Sequence, residues 1–317
     1  MNYSHMENPI FLVGAERSGT TVLRLMLDHH PSITWRNEFE YAVDQISDDH
    51  QSWPELQPYY DWLQTHRIFQ ASGLTIDRDL DYPSLVKDFL QQHRDRAGKP
   101  IVGATVHRHF DRLLRIWPNA MFIHILRDGR DVARSNIGMG WAGNVWTGVE
   151  KWIEAEQLWK SLKTVIPADH RIEITSEDLI NNPEQELTRI CEFLGLSYAP
   201  EMMDYIQKTT YDTPDPAYIA QWRRKLSDRQ VQLAEERIAP MLTERGYELS
   251  GLPQLKVDEW LKFRLKVQNW WACAQFRMNR NGLPLFMADY VSRKLGLSQW
   301  QKQVQLKLNE VETAHLK

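Results

Sequence analysis

A chain of 317 residues with 42% apolar and 25% charged side chains can bury a full core unaided, which excludes small disulfide-stapled scaffolds and disordered or fibrous classes. Thirty-eight basic against 42 acidic residues give a net charge of −4, so no global basic field draws the chain to nucleic acid, and any anion must be held by local groups. Only Cys191 and Cys273 occur, without a Cys/His cluster, so neither a disulfide framework nor a metal site is expected; with no secretion signal in Met1–Pro9 and no apolar run of membrane length, the expected compartment is cytoplasmic.

The elements follow in chain order. Ile10-Phe11-Leu12-Val13 reads as a buried strand, Gly14 to Gly19 as a tight loop, and Val22, Leu23, Leu25, Met26 and Leu27 as the apolar stripe of a helix. A second strand runs from Met121 to Leu126 into Arg127-Asp128-Gly129-Arg130-Asp131 and a further helix, and a third from Arg171 to Thr175. Asn182-Pro183 opens a helix that closes on Gly195, and Ser227-Asp-Arg-Gln230 offers a capping box for one that stops at Gly246. This alternation predicts an α/β fold with a mainly parallel sheet over residues 1–250. Gly251-Leu252-Pro253 marks a boundary, and residues 251–317 read as a helical C-terminal extension.

A strand feeding Gly14-x-x-x-x-Gly19 and a helix aims backbone N–H groups and the positive end of a helix dipole at an anion. A nucleotide-triphosphate loop would place Lys-Ser/Thr after the second glycine; here Thr20 and Thr21 stand there, and the cation is Arg17. Ser18, Thr20 and Thr21 add hydroxyl donors. Farther on, an Arg ending a strand and a Ser one or two turns into the next helix, Arg127 and Ser135, can grip a second phosphate from two sides. The plain alternatives are a glycine turn with a surface Arg, and a solvated ion-pair cluster of Arg127, Asp128, Arg130 and Asp131.

The stretch Glu-Arg-Ser-Gly-Thr-Thr-Val-Leu-Arg-Leu-Met-Leu-Asp-His-His-Pro (16–31) resembles the 5′-phosphosulfate loop of sulfotransferases that use 3′-phosphoadenosine 5′-phosphosulfate (PAPS), most nearly the tyrosylprotein sulfotransferase branch and its bacterial relatives. Phe122-Ile-His-Ile-Leu-Arg-Asp-Gly-Arg-Asp-Val-Ala-Arg-Ser135 is similar to the family's 3′-phosphate motif. Further echoes are Trp152 with Ala155, Glu177-Asp178-Leu179, Phe193-Leu194-Gly195 and Ala239-Pro240-Met241-Leu242, in the family's order from residue 9 to about 250. The resemblance implies a P-loop-like three-layer fold, PAPS as co-substrate and no metal. It places Arg17, Ser18, Gly19, Thr20 and Thr21 on the 5′-phosphosulfate and Arg127 and Ser135 on the 3′-phosphate. Arg17 would stabilise the leaving group. Glu38, between Trp35 and Phe39, falls on the family's catalytic base, where desolvation by aromatic neighbours would raise its pKa.

The departures narrow the reading. A supporting catalytic Lys has no counterpart in Thr105-Val106-His107-Arg108-His109, where His107 can serve as base or acceptor ligand instead. The family's adenine-packing Tyr is Ser176. Its Lys before the late Trp is Gln221, so Trp222 is followed by Arg223, Arg224 and Lys225, one of which would reach the 3′-phosphate. Glu40 replaces the Arg with which the tyrosylprotein branch binds acidic peptides, which favours a small-molecule, carbohydrate or lipid acceptor. Trp35, Trp141 and Trp146 either line its pocket or pack in the core. In the extension, Trp260, Phe263, Val267, Trp270 and Trp271 recur at helical spacing among basic residues, so residues 258–280 would pack on the catalytic domain, form a homodimer, or touch a membrane surface peripherally. Two rival functions remain: a P-loop kinase or ATPase using Asp128 as its Mg²⁺ carboxylate, and a nucleotide-binding relative without catalysis.

Overall fold

The computed structural model of the chain describes residues 8–48 and 52–315; most of the polar start, Met1–Pro9, lies outside the described residues. In chain order the main elements are β1 (Ile10–Val13), α1 (Thr20–Asp28), β2 (Ile33–Glu38), α2 (Tyr82–Ala97), β3 (Ile101–Val106), β4 (Met121–Leu126), α3 (Gly129–Gly138), α4 (Glu150–Leu162), β5 (Arg171–Thr175), α5 (Pro183–Phe193) and α6 (Asp228–Glu244). The extension adds α7 (Glu259–Asn281), α8 (Leu283–Lys294) and α9 (Ser298–His315). The strands form one sheet in the order β2-β3-β1-β4-β5, every pairing parallel.

Alternate residues of β1 serve opposite cores, as a strand buried on both faces requires. Phe11 and Val13 pack with Phe89 of α2 and with Trp159 and Leu162 of α4. Ile10 and Leu12 pack with Leu23, Met26 and Leu27 of α1 and with Leu187 and Ile190 of α5. The result is the expected three-layer α/β arrangement of P-loop-like type. The capping box at Ser227 and Gln230 forms as read, and α6 continues through Pro240 to Glu244.

Two strands go beyond the three read from sequence. β3 is wholly buried, and its Gly103 admits the Trp35 ring, which would lie 2.3 Å from a Cβ there. β2 is one of the two edge strands, and its register shifts between Arg36 and Glu38, so its end departs from the ladder. Of the three tryptophans left open between pocket and core, Trp35 and Trp146 are core residues and Trp141 is exposed.

The extension is docked rather than free. Asn144 Nδ2 donates to the Leu265 carbonyl (2.8 Å), and Gly143 N–H and Thr147 Oγ1 both donate to Asn269 Oδ1 (2.7 Å each). At the other end Asn309 Nδ2 donates to the Thr65 carbonyl (2.9 Å), and Arg67 pairs with Glu312 (3.1 Å). The aromatic stripe of α7 faces outward: Trp260, Phe263, Val267, Trp270 and Trp271 are all exposed, while Leu265 is buried on the opposite side. Burial of each such ring would be worth about 2 kcal/mol, a gain the single chain leaves unrealised.

Beneath β4, His124 is fully buried and stacked on Trp159 (4.6 Å between rings). Its Nε2 meets Glu156 (3.0 Å) and its Nδ1 faces Glu173 (3.4 Å), while Arg245 closes the ring through both carboxylates (2.5 and 3.0 Å). Burial alone would lower the His124 pKa, but the two carboxylates outweigh it and hold the pKa above the ordinary 6.5. The contribution is then complete below that value and is lost as pH rises through the raised pKa. Unfolding free energy is expected to fall from mildly acidic to alkaline buffer, and His124→Gln should flatten the slope in urea melts.

Candidate functional site

β1, β3 and β4 end side by side, so the loops after them converge at the carboxyl edge of the sheet. Gly14 leaves β1 at φ 140°, where a Cβ would lie 2.4 Å from the Ile125 carbonyl oxygen. Gly19 at φ 94° precedes α1, whose first turn has neither a side-chain cap nor an acidic residue. Its free backbone donors therefore face the loop. Ser18 is buried, and its hydroxyl has no hydrogen-bond partner. A buried orphan donor inside a glycine cradle suits an anion. Arg17 sits at φ 71°, a left-handed conformation costly for a non-glycine residue and held by the surrounding contacts.

Those contacts join the two grips read in the sequence. Arg17 Nε donates to Ser135 Oγ (2.9 Å), and Arg127 donates to the Arg17 carbonyl (2.9 Å) and to the Tyr218 carbonyl (3.0 Å). Burial lowers the Arg17 pKa from its ordinary 12.5, and Arg127 adds to this. Thr20 is buried and Thr21 half-buried at the start of α1. Ser176 also abuts the loop, its Oγ 3.0 Å from where a Gly19 Cβ would be.

The late Trp and its basic neighbours have different settings. Asp131 accepts from the backbone N–H of Trp222 (2.7 Å) and Gln221 (3.2 Å), which fixes the short helix Trp222–Lys225 against α3. The Trp222 ring is buried between the guanidinium groups of Arg130 (3.6 Å) and Arg223 (4.4 Å). Arg224 donates to the Ala217 carbonyl (2.6 Å), and Arg223 is half-exposed. Asp128, the Mg²⁺ carboxylate of the kinase reading, is instead committed to Arg130, whose Nε and Nη2 contact its two oxygens (3.0 and 2.7 Å), and caps α3. Arg130 itself is buried and also bonds Glu235 (2.6 Å), so the alternative of a solvated cluster gives way to an internal network.

A cleft of about 930 Å³ opens beside Arg17, lined by Thr20, Thr21, Glu38, Glu40 and His107 on one side. The far wall comes from Asp61, Trp62, Thr65 and His66 and from Gln301, Lys302, Gln305 and Asn309 of α9. Trp141 stands at its rim with Lys151 over the ring (4.5 Å). Glu38 does not have the expected aromatic shelter: the register shift turns Phe39 inward and leaves Glu38 exposed. Glu40 is the desolvated carboxylate. Burial raises its pKa, and His107, which donates its backbone N–H to Glu40 Oε1 (2.9 Å), offsets this only in part. The His107 ring meets the Gly14 carbonyl through Nδ1 (3.0 Å); a carbonyl only accepts, so Nδ1 carries a proton and Nε2 is the one ring nitrogen that can accept. Burial pushes the pKa of His66, across the cleft, down to about 4, so it is neutral there at pH 7.

Sequence reasoning marked Glu40 only as the replacement of an acceptor-binding Arg, not as the desolvated carboxylate beside His107, and it missed α9 as a cleft wall. For α9 there was no signal, because its part depends on docking over the segment 56–70.

With this geometry in view, a family model described as Sulfotransferase family matches residues 9–200. The chain is 23% identical over 273 residues to protein-tyrosine sulfotransferase A of Caenorhabditis elegans, covering 79% of this chain and 70% of the relative. It is 26% identical over 274 residues to protein-tyrosine sulfotransferase 2 of Gallus gallus, covering 78% and 71%. Among solved structures, the sulfotransferase domain from the curacin biosynthetic pathway superposes with a TM-score of 0.52 at 18% identity, covering 76% of this chain and 98% of that one. That likeness carries the fold.

The cradle has a direct test. Gly14→Ala would combine strain at positive φ with a clash against a backbone oxygen, and a loss of roughly 2–4 kcal/mol in unfolding free energy is expected; urea denaturation measures it, and a loss below about 1 kcal/mol would show that the loop can relax away from β4.

Proposed function

The chain belongs to the sulfotransferase family, and from that premise we propose that it transfers a sulfuryl group from PAPS to a hydroxyl of a polar, uncharged acceptor such as a carbohydrate. The observation that carries this reading is the junction of Arg17 with Ser135 and Arg127, next in sequence to the unpartnered buried hydroxyl of Ser18, with Arg17 also lining the cleft. Bound PAPS supplies a sulfuryl group on a phosphate leaving group. Ser18, Thr20, Thr21 and the backbone at Gly19 would hold its 5′-phosphosulfate, and Arg127 and Ser135 its 3′-phosphate. Arg223 and Arg224 add positive charge on the helix that Asp131 anchors, and the buried Trp222 ring stiffens that support.

In this reading the acceptor oxygen bonds to sulfur as the sulfur–phosphate oxygen bond breaks. Arg17 offsets the negative charge on the departing oxygen, a role in which a fixed guanidinium beside backbone dipoles needs little reorganisation. Glu38 takes the proton of the acceptor hydroxyl. Its exposure on the cleft floor leaves it free to move onto that proton, whereas Glu40 is held by the His107 N–H. The accepting Nε2 of His107 orients the acceptor.

The cleft chemistry supports the acceptor class. Its cations other than Arg17 have acid partners: Arg67 with Glu312, Arg108 with Asp44 (2.6 Å) and Lys302 with Asp61 (3.9 Å). Little positive charge is left for an acidic peptide, although the relatives are named for protein tyrosine. Gln301 and Gln305 offer both donors and acceptors, and Trp62 and Trp141 offer faces for a sugar ring.

Calorimetry with 3′,5′-adenosine bisphosphate should show tight binding that needs no Mg²⁺; preference for Mg-ATP would overturn the donor assignment. With radiolabelled PAPS and a panel of glycosides, apolar alcohols and acidic tyrosine peptides, label should enter the glycosides. Glu38→Gln should then lower kcat about a hundredfold or more while bisphosphate affinity is kept, and Arg17→Ala should lower it by about 10²–10³. Retained turnover in Glu38→Gln together with its loss in His107→Gln would move the base to His107.

A further inference from the structure

We propose that α7 seats the protein on an anionic lipid surface. The docked geometry comes first. Bonds from Asn144 and Gly143 to Leu265 and Asn269 fix the rotation of α7 about its axis, and they fix it with the aromatic stripe outward. Trp260 is 64% exposed and Trp270 65%, and Phe263, Val267 and Trp271 lie between them on the same face at steps of three and four residues. The pattern runs on into α8, where Leu283, Met287 and Tyr290 are exposed at the same spacing. An isolated exposed ring is ordinary; a row of exposed apolar side chains along one face of a docked helix marks an interaction surface.

Charge selects the partner. Residues 259–294 hold seven basic and two acidic side chains, a net of +5 in a chain whose total is −4. Arg264 borders the aromatic row on one side and Lys266 and Arg277 on the other, and all three are exposed. Rings set between flanking basic groups match the interface of a bilayer, where indoles lie at headgroup level and long cationic side chains reach anionic phosphates. A second copy of the chain using the same face would set +5 against +5, which disfavours a symmetric dimer. Among the described residues no helix is long and apolar enough to cross a membrane, so the contact is with the surface.

Sedimentation of the full chain with vesicles tests this, using phosphatidylcholine alone and phosphatidylcholine mixed with phosphatidylglycerol. Binding to the mixed vesicles is expected to exceed that to the neutral ones by about tenfold or more and to weaken with salt. Trp270→Ser with Trp271→Ser should remove binding to both. Lys266→Glu with Arg277→Glu should remove the preference for anionic lipid by a similar factor. All four positions are exposed, and unchanged thermal melts would confirm that the variants fold. The proposal is overturned if the native chain stays in the supernatant with both vesicles, if charge reversal leaves binding unchanged, or if sedimentation velocity shows a dimer that the Trp270→Ser/Trp271→Ser variant loses.

Discussion

Gly14 leaves β1 against the carbonyl oxygen of Ile125 on β4, so close that even a methyl group would overlap it. Because β1 and β4 are parallel neighbours, the loops that follow them emerge together at one edge of the sheet. That adjacency lets Arg17 meet Ser135 across 118 residues of sequence and lets Arg127 hold the Arg17 carbonyl across 110. The left-handed backbone at Arg17 is then the accommodation of a cation, rather than a glycine, at the point where the loop must turn. A chain with net negative charge can hold a multiply charged anion in this way, since backbone donors, an uncapped helix end and two guanidinium groups act at short range, where the distant surplus of carboxylates is screened.

The carboxylates Glu38 and Glu40, at and just past the end of β2, show how a single register shift gives near neighbours different environments. Up to Arg36 the strand follows β3 residue for residue; after the shift Glu38 points to solvent, while Phe39 and Glu40 turn into the protein. Glu40 is raised in pKa by burial and accepts from the His107 backbone N–H. It holds the start of the loop after β3 and hence the imidazole that meets the Gly14 carbonyl. Glu38, two residues earlier, is exposed. Environment rather than residue type distinguishes the two carboxylates.

What the sequence made legible follows the range of the forces involved. β1, its glycine loop, β4, the capping box at Ser227 and the Asn182-Pro183 start are local signals, and each appears in the structure where its residues predict it. β2 and β3 escaped for local reasons as well: Thr34, Arg36, Asn37 and Glu38 give an edge strand a mixed pattern, and Gly103 and Ala104 weaken the apolar signal of a buried one. Side-chain environments were another matter. Sheltering Glu38 between Trp35 and Phe39 assumed that neighbours in sequence face one another, whereas Trp35 lies over Gly103 in the core. The α7 periodicity was visible at once, but which face it buries was not, because both faces carry apolar residues and only the position of Asn144 and Gly143 decides between them.

That decision also links the extension to the cleft. α7 is held by backbone bonds and by close approach at Gly140 and Gly143, where a Cβ would strike the Phe276 ring and the Asn269 backbone. Such contacts tolerate little rolling of the helix, so the outward set of Trp260, Phe263 and Trp270 is a property of the fold rather than of loose packing. The chain then returns through α8 to α9, which is tied to Thr65 and Arg67 and closes the cleft opposite Arg17. One extension therefore carries both the aromatic face and a wall of the cleft beside Arg17. α7, α8 and α9 pack on one another, so the aromatic face and the wall of the cleft are built on one continuous helical unit.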